Sequence, residues 1–286
     1  MPLSGHPASG LSAAGAGDES CDEVLSHTER TRVLRRRLEA PTGSIILKQP
    51  LGTDALRRLR HETATLERLS AIDGVVKLAP GAAGAAAVAL RDDGGVPLAH
   101  RLAKGPLEVP AVLALARTLA RVLAAVHRAG VVHKDINPAN ILLVGAAQTP
   151  VLIDFDLAGS LADERPAFTH TSEIAGTLAY LAPEQTGRTG RALDHRADLY
   201  ALGATLYEAA TGRPPFDSRD ALDLVRAQLV RAPVPPIERM PRLPRALSDI
   251  VMRLLEKEPD RRYQSAEGLL ADLDRLHERL GAGDGP

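Results

Sequence analysis

A chain of 286 residues, 44% of them hydrophobic, can bury a core of ordinary density either as one large domain or as two lobes. A formal net charge of -1 gives no electrostatic ground for nucleic acid or an anionic membrane as partner, and a single cysteine, Cys21, cannot close an internal disulfide, which fits a reducing, cytoplasmic setting. The most apolar stretches, Ala82 to Leu90 and Ile141 to Val144, are too short to cross a bilayer, and Arg117 and Arg121 interrupt the apolar segment after Val109, so no membrane insertion is expected.

The first twenty residues are rich in Gly, Ala and Ser and hold no Lys or Arg. That is a poor signal peptide, which needs a basic start, and a good disordered leader, taken as residues 1–23. Beyond it, arginine supplies most of the 35 cationic side chains, and lysine survives only at Lys48, Lys77, Lys104, Lys134 and Lys257. Lys48 ends Ile45-Ile46-Leu47-Lys48, a β-branched run that reads as a strand. Leu56, Leu59, Leu66 and Leu69 recur at helical spacing and predict a helix over Ala55 to Leu69, with Glu62 inside it. Gly74 and a strand-like Val75-Val76-Lys77-Leu78 follow. Taken singly, Lys48 is a solvated strand-end lysine and Glu62 a charge on the wet face of a helix.

A long helical pattern from Glu108 to Ala129, with Leu113, Leu119, Val122, Leu123 and Val126 on one side and Gly130 as its cap, delivers the chain into Val131-Val132-His133. Ile141 to Val144 and Val151 to Ile153 read as a hairpin with Asn140 at one end and Asp154 at the other. After Pro183 the pattern is helical over Asp198 to Thr211, Ala221 to Arg231, Leu243 to Glu256 and Ala266 to Leu280, and Gly281 to Pro286 form a flexible tail or linker. A small strand-rich half before a helical half predicts an α+β fold of two lobes, with a cleft where they meet.

Within that frame lie His133-Lys134-Asp135-Ile136-Asn137-Pro138-Ala139-Asn140, then Asp154-Phe155-Asp156, Gly176-Thr177-Leu178-Ala179-Tyr180, Ala182-Pro183-Glu184-Gln185-Thr186-Gly187-Arg188, Asp198-Leu199-Tyr200 and Arg262-Tyr263-Gln264-Ser265-Ala266. From about Val24 to Leu280 the sequence resembles the bacterial eukaryotic-like, or Hanks-type, Ser/Thr protein kinases. More closely, these phrases resemble the N-terminal kinase domain of large trifunctional proteins, in which the kinase precedes a P-loop ATP-binding region and a sensor histidine kinase.

The resemblance implies a kinase domain over residues 24–280, with an N-lobe of about 24–91, a C-lobe of about 95–280, and ATP-dependent phosphorylation of Ser or Thr on a protein substrate in bacterial signalling. Downstream signalling modules are the further partners it implies. Lys48 would hold the α and β phosphates and pair with Glu62, and Asp135 would accept the proton of the substrate hydroxyl. Asn140 and Asp154 would bind Mg2+, or Mn2+ as the alternative, through oxygen. Val33, Leu90 and Asp93 would complete the nucleotide contacts. His133, Phe155 and Leu66 would form an apolar column joining the lobes, Asp198 would hold the catalytic-loop backbone, and Glu184 would pair with Arg262. Thr177 would touch Asp135 from the acceptor loop. Thr169, Thr171 and Ser172 are candidate phosphosites, with Lys134 as the cation to meet such a phosphate.

Three features depart from the family pattern. Ser26, Thr28 and Thr31 stand where the phosphate-covering loop carries glycines, Asn137 replaces a lysine near the γ-phosphate, and Asp156 replaces the glycine after Phe155. Asp156 is either an extra oxygen ligand for the metal or a tolerated turn residue. The departures define an alternative function, a pseudokinase-like ATP-binding module that regulates an associated signalling protein. A pure docking scaffold is a third reading, which has no need of Lys48, Asp135, Asn140 and Asp154 together.

Overall fold

The computed structural model describes residues 22–38, 43–80, 86–160 and 177–282. The leader up to Cys21, the candidate phosphosites Thr169, Thr171 and Ser172, and tail residues 283–286 lie outside the described residues. Strands β1 (Glu23–His27), β2 (Thr31–Arg37) and β3 (Ser44–Pro50) form an antiparallel meander, and β4 (Val88–Arg91) pairs with β3 to give a sheet ordered β1-β2-β3-β4. The register sets Val33 opposite Lys48, and Lys48 opposite Val88. Helix α1 (Ala55–Arg68) lies between β3 and β4 in sequence and buries Glu62 and Leu66, which are one turn apart on one face. Leu56, expected in the core, is exposed instead, so the buried stripe includes an acid that the hydrophobic pattern alone assigns to water.

The strand expected at Val75 to Leu78 does not form. The segment makes only isolated bridges, Val75 to Leu152 and Leu78 to Leu90. Its backbone is satisfied across the lobes instead: the Val76 N–H donates to the Leu152 carbonyl at 2.9 Å, and the Leu152 N–H donates to the Gly74 carbonyl at 2.8 Å. Gly74 has φ +80°, and a Cβ there would meet Val122 Cγ2 at 2.4 Å, so the close approach needs glycine.

The helical half follows as β5 (Val96–Pro97), α2 (Leu98–Leu102), α3 (Val109–Arg128), β6 (Val131–Val132), β7 (Ile141–Val144), β8 (Thr149–Leu152), β9 (Gly159–Ser160), α4 (Arg196–Thr211), α5 (Ala221–Val230), α6 (Pro236–Arg239), α7 (Arg245–Leu254) and α8 (Ala266–Gly281). Small sheets β5-β7-β8 and β6-β9 sit at the junction of the lobes. Helix α4 is buried all round from Ala197 to Tyr207, as a helix without an amphipathic face must be. The helix expected from Leu243 starts only after Pro244, whose ring presets the turn into it. Among the described residues, α3 is the one helix long and apolar enough to cross a membrane, with mean hydropathy 1.8 over its best window despite Arg117 and Arg121. It packs against α4 and α8, and Arg117 Nε bonds Asp274 Oδ1 at 2.7 Å. One continuous apolar core runs from Leu66 in α1 through Phe155 to Leu276 in α8.

Candidate active site

The site is assembled where β3, α1 and the two loops flanking β7 and β8 converge. Lys48 Nζ lies 2.7 Å from Glu62 Oε1 and 2.6 Å from Asp154 Oδ1. The Lys48 and Glu62 side chains are 7% and 4% exposed, whereas Asp154 is 38% exposed, so the lysine is buried and the aspartate is the group of the three that meets solvent. Burial works against the Lys48 charge, but Asp154 and Glu62 outweigh it and hold the ammonium above its ordinary value. Burial pushes Glu62 up to about 7, with Lys48 pulling the other way. Asp154 is itself left-handed, at φ 66°, which turns its carboxylate back toward Lys48.

The catalytic-loop segment is held from below. Asp198 on α4 accepts from the His133 amide at 2.8 Å, the Lys134 amide at 2.8 Å and His127 Nε2 at 2.9 Å. Its burial is opposed by these bonds and the neighbouring histidines, which keep its carboxyl below the usual range. The double grip supports Lys134 in the left-handed region, at φ 69°. His133 is fully buried and its pKa is lowered by that burial. Its Nε2–H donates to the Ile153 carbonyl at 3.0 Å, while Nδ1 accepts from the Asp135 amide at 3.2 Å. Its ring packs on Phe155 with centroids 4.6 Å apart, and Leu66 belongs to the same core.

Asp135 is fixed by two amides. Asn137 Nδ2 donates to Oδ1 at 3.0 Å and Asn140 Nδ2 donates to Oδ2 at 2.7 Å. Burial and the Asp154 charge push Asp135 up to about 7. Asn137 is thus not an empty replacement for a lysine. Its Oδ1 also accepts from the Ala139 and Asn140 amides, at 2.9 and 3.3 Å, capping the 3-10 turn Pro138–Asn140. With Nδ2 of Asn140 committed to Asp135, its Oδ1 is the atom left to ligate a cation.

Oxygen donors on Asn140 and Asp154 suit magnesium, which takes few protein ligands and completes its shell with phosphate and water. No group of three or more His, Cys, Asp or Glu that could hold a metal ion occurs among the described residues.

The remaining expected residues fall as follows. Val33 lies across from Lys48, and Leu90 is buried in β4 opposite Ile46. The Asp93 carboxylate pairs with Arg91 at 2.9 Å on the surface. Its neighbour Asp92 is the anchored one, accepting from Arg35 Nε and Ser44 Oγ at 2.7 Å each. Glu184 and Arg262 meet in a buried fork at 2.6 and 2.8 Å. Thr177 opens the 3-10 turn Thr177–Tyr180, but its side chain, and so its contact with Asp135, lies outside the described residues. The Lys134 ammonium lies against Gly159, where an added Cβ would be 2.0 Å away.

Asp156 is a turn residue without backbone strain, the plainer of its two expected roles, and its carboxylate is engaged by an arginine. It is absent from the left-handed residues, and both its oxygens face Arg58, with Nε at 3.0 and 2.9 Å. Arg58 and Gln185 were not singled out by sequence. Arg58 sits four residues before Glu62, so the helical period did carry a signal for it. Gln185 ties two motifs together, accepting from the Ala182 amide at 3.0 Å and donating to the Lys134 carbonyl at 2.8 Å.

The family described as the protein kinase domain matches residues 53–272. The chain belongs to this family. The kinase domain is 38% identical over 151 residues to serine/threonine-protein kinase PknB of Mycobacterium tuberculosis, which covers 53% of this chain and 24% of that protein. It is 40% identical over 163 residues to serine/threonine-protein kinase Pkn1 of Myxococcus xanthus, covering 56% and 23% respectively. The chain thus spans about a quarter of the length of these curated relatives.

Proposed function

We propose that this kinase domain transfers the γ-phosphoryl group of ATP to a Ser or Thr hydroxyl of a protein substrate, in cytoplasmic bacterial signalling. The supporting observation is the convergence of Lys48, Asp135, Asn140 and Asp154 on one cleft, with Asp135 held by two amides and Lys48 by two carboxylates. The hydroxyl oxygen attacks the γ-phosphorus, the bond to the ADP oxygen breaks, and the hydroxyl proton passes to Asp135. Such transfer needs little covalent help, so most of the work is orientation, which the amides of Asn137 and Asn140 supply to the base. Lys48 binds the α and β phosphates while Glu62 keeps its ammonium in place. Bound at Asn140 Oδ1 and the Asp154 carboxylate, magnesium, or manganese in its stead, would neutralise charge on the phosphates.

The reading extends to a domain of residues 24–280 that precedes signalling modules in the manner of trifunctional kinase and sensor histidine kinase proteins. Labelled-phosphate transfer with Mg2+ or Mn2+, beside Asp135→Asn, tests the activity. The variant should keep its fold and nucleotide affinity and lose transfer by about 100-fold or more, the usual share of a positioned general base. Equal transfer by the variant refutes the role of Asp135.

One observation favours the regulatory alternative. Thr28 Oγ1 accepts from the Arg30 and Thr31 amides at 3.2 and 3.1 Å, so amides of the β1–β2 turn that could face phosphates are already engaged. Wild-type protein that binds nucleotide but transfers nothing is a pseudokinase.

A further inference from the structure

Arg58, on α1, ties its own helix to two other segments. Its Nε and Nη2 grip the Asp156 carboxylate, with Nη2 2.5 Å from Oδ2; its Nη1 donates to the Arg30 carbonyl at 3.0 Å, and Nη2 also donates to Thr31 Oγ1 at 3.0 Å. Each segment carries one component of the site. Helix α1 carries Glu62, the segment of Asp156 carries Asp154, and the β1–β2 turn lies at the position of the phosphate-covering loop. The Asp156 amide also donates to Asp154 Oδ1 at 3.3 Å. The turn is closed on itself by Thr28 and its Arg30 carbonyl also accepts from the Leu51 amide at 2.6 Å, while among the described residues the Arg58 guanidinium is its hydrogen-bonded link to the helix and to the metal-binding segment.

Burial separates this pair from an incidental surface bridge. Arg58 and Asp156 are each 10% exposed, whereas Arg57 and Asp54 on the neighbouring face are 77% and 62% exposed. Exposed pairs contribute little, whereas a bidentate fork out of water fixes geometry as well as charge. An ammonium has no such fork and cannot reach three acceptors in one plane.

We infer that Arg58 and Asp156 are positioning residues for phosphoryl transfer: a clamp that holds the glycine-less phosphate loop, Glu62 and Asp154 in one register. This rests on the kinase reading for its effect on turnover, but not for its effect on the loop. Asp156, standing where the family has glycine, is then required, and restoring glycine lowers activity.

The test combines kinetics with amide hydrogen exchange on the full chain. In Asp156→Asn, which keeps shape and removes the charge, Mg-ATP affinity and kcat/KM should each fall about tenfold, the weight of one charge-assisted hydrogen bond. Exchange should quicken at residues 28–31 and 55–62 and stay unchanged in 196–211. Asp156→Glu should recover part of the loss and Asp156→Gly none. Thr31→Ala, which removes one contact and leaves the core intact, should quicken exchange in the turn alone, and it decides the matter if Asp156→Asn does not fold. Unchanged local exchange in Thr31→Ala, or unchanged affinity and exchange in Asp156→Asn, overturns the clamp, as does exchange that quickens uniformly along the chain. A wild-type protein that transfers no phosphate refutes the kinase reading, while affinity and local exchange still decide the clamp.

Discussion

Replacing Lys48 by methionine separates what the lysine does for stability from what it does for chemistry. Methionine fills the space of the aliphatic stem but leaves Glu62, 4% exposed, without its cation. Glu62 already sits at about 7 because of burial, with Lys48 holding it down. Without Lys48 it stays protonated to higher pH, while in the unfolded chain it ionises near 4.5. The native variant then carries a proton that the unfolded chain lacks, so stability falls as pH rises. The wild-type native state releases that proton near 7 and stops losing stability, and the variant does not. The gap between them should therefore be small at pH 6 and widen above pH 7 by up to about 1.4 kcal/mol per pH unit. Asp154, at 38% exposed, can be rehydrated and adds less. Denaturant unfolding at pH 6 and 8.5 measures the gap, and Lys48→Met/Glu62→Gln should close it. Transfer should be lost in both variants, because the phosphates have no anchor in either. A pH-independent gap, or transfer restored in the double variant, would refute the assignment of Lys48.

Arg262→Ala should cost about 3–5 kcal/mol, because it strands buried Glu184 and the carbonyls of Glu256, Arg196 and Lys257, which Arg262 now meets at 2.8 to 3.0 Å. Thermal unfolding should show Tm falling by roughly 6–20 °C, and Arg262→Lys, which keeps the charge but not the fork, should recover only part of it. Asn137→Lys installs the lysine usual at that position, yet it should lower transfer. It removes one amide from Asp135 and a cap of about 0.5–2 kcal/mol from the following turn, and a steady-state assay showing faster transfer would mean that Asn137 costs the site a phosphate contact.

The lysines show what a sequence discloses and what it withholds. Their scarcity among arginines marked them as candidates, and the strand before Lys48 placed that one. Lys77 instead caps the end of α1, donating to the carbonyls of Ser70 at 2.7 Å and of Ile72. Lys257 lies 4.4 Å above the Phe216 ring and 3.0 Å from the Tyr200 hydroxyl, and Lys104 is exposed. Rarity identified residues, but only tertiary neighbours assign them roles. Periodicity found α1, α3, α4, α5, α7 and α8 to within a few residues, because each has a long repeat to read. It failed at Val75 to Leu78, where Val75, Val76 and Leu78 resemble a strand but the segment makes only isolated bridges, the Val76 amide donating to the Leu152 carbonyl and the Lys77 carbonyl accepting from the Arg91 amide. It failed again at Glu62, whose burial depends on a cation in another strand.

The three departures from the family pattern share a physical character once their contacts are known. Each exchanges a group that would meet phosphate, or a backbone left free to move, for a side chain bonded within the protein. Thr28 takes two amides of its own turn, Asn137 takes the base and a cap, and Asp156 takes Arg58. A glycine loop adapts to its ligand by moving, whereas a turn closed by a hydroxyl and tied to a helix is set before the ligand arrives. Less ordering then remains to be done on binding, but fewer donors are left for the phosphates. Their charge must fall on Lys48 and on a cation at Asn140 and Asp154. Nucleotide affinity in this chain should therefore depend more steeply on divalent metal than in a relative whose loop keeps its glycines, which makes the ratio of ATP affinities with and without Mg2+ the quantity that reports how the three departures act together.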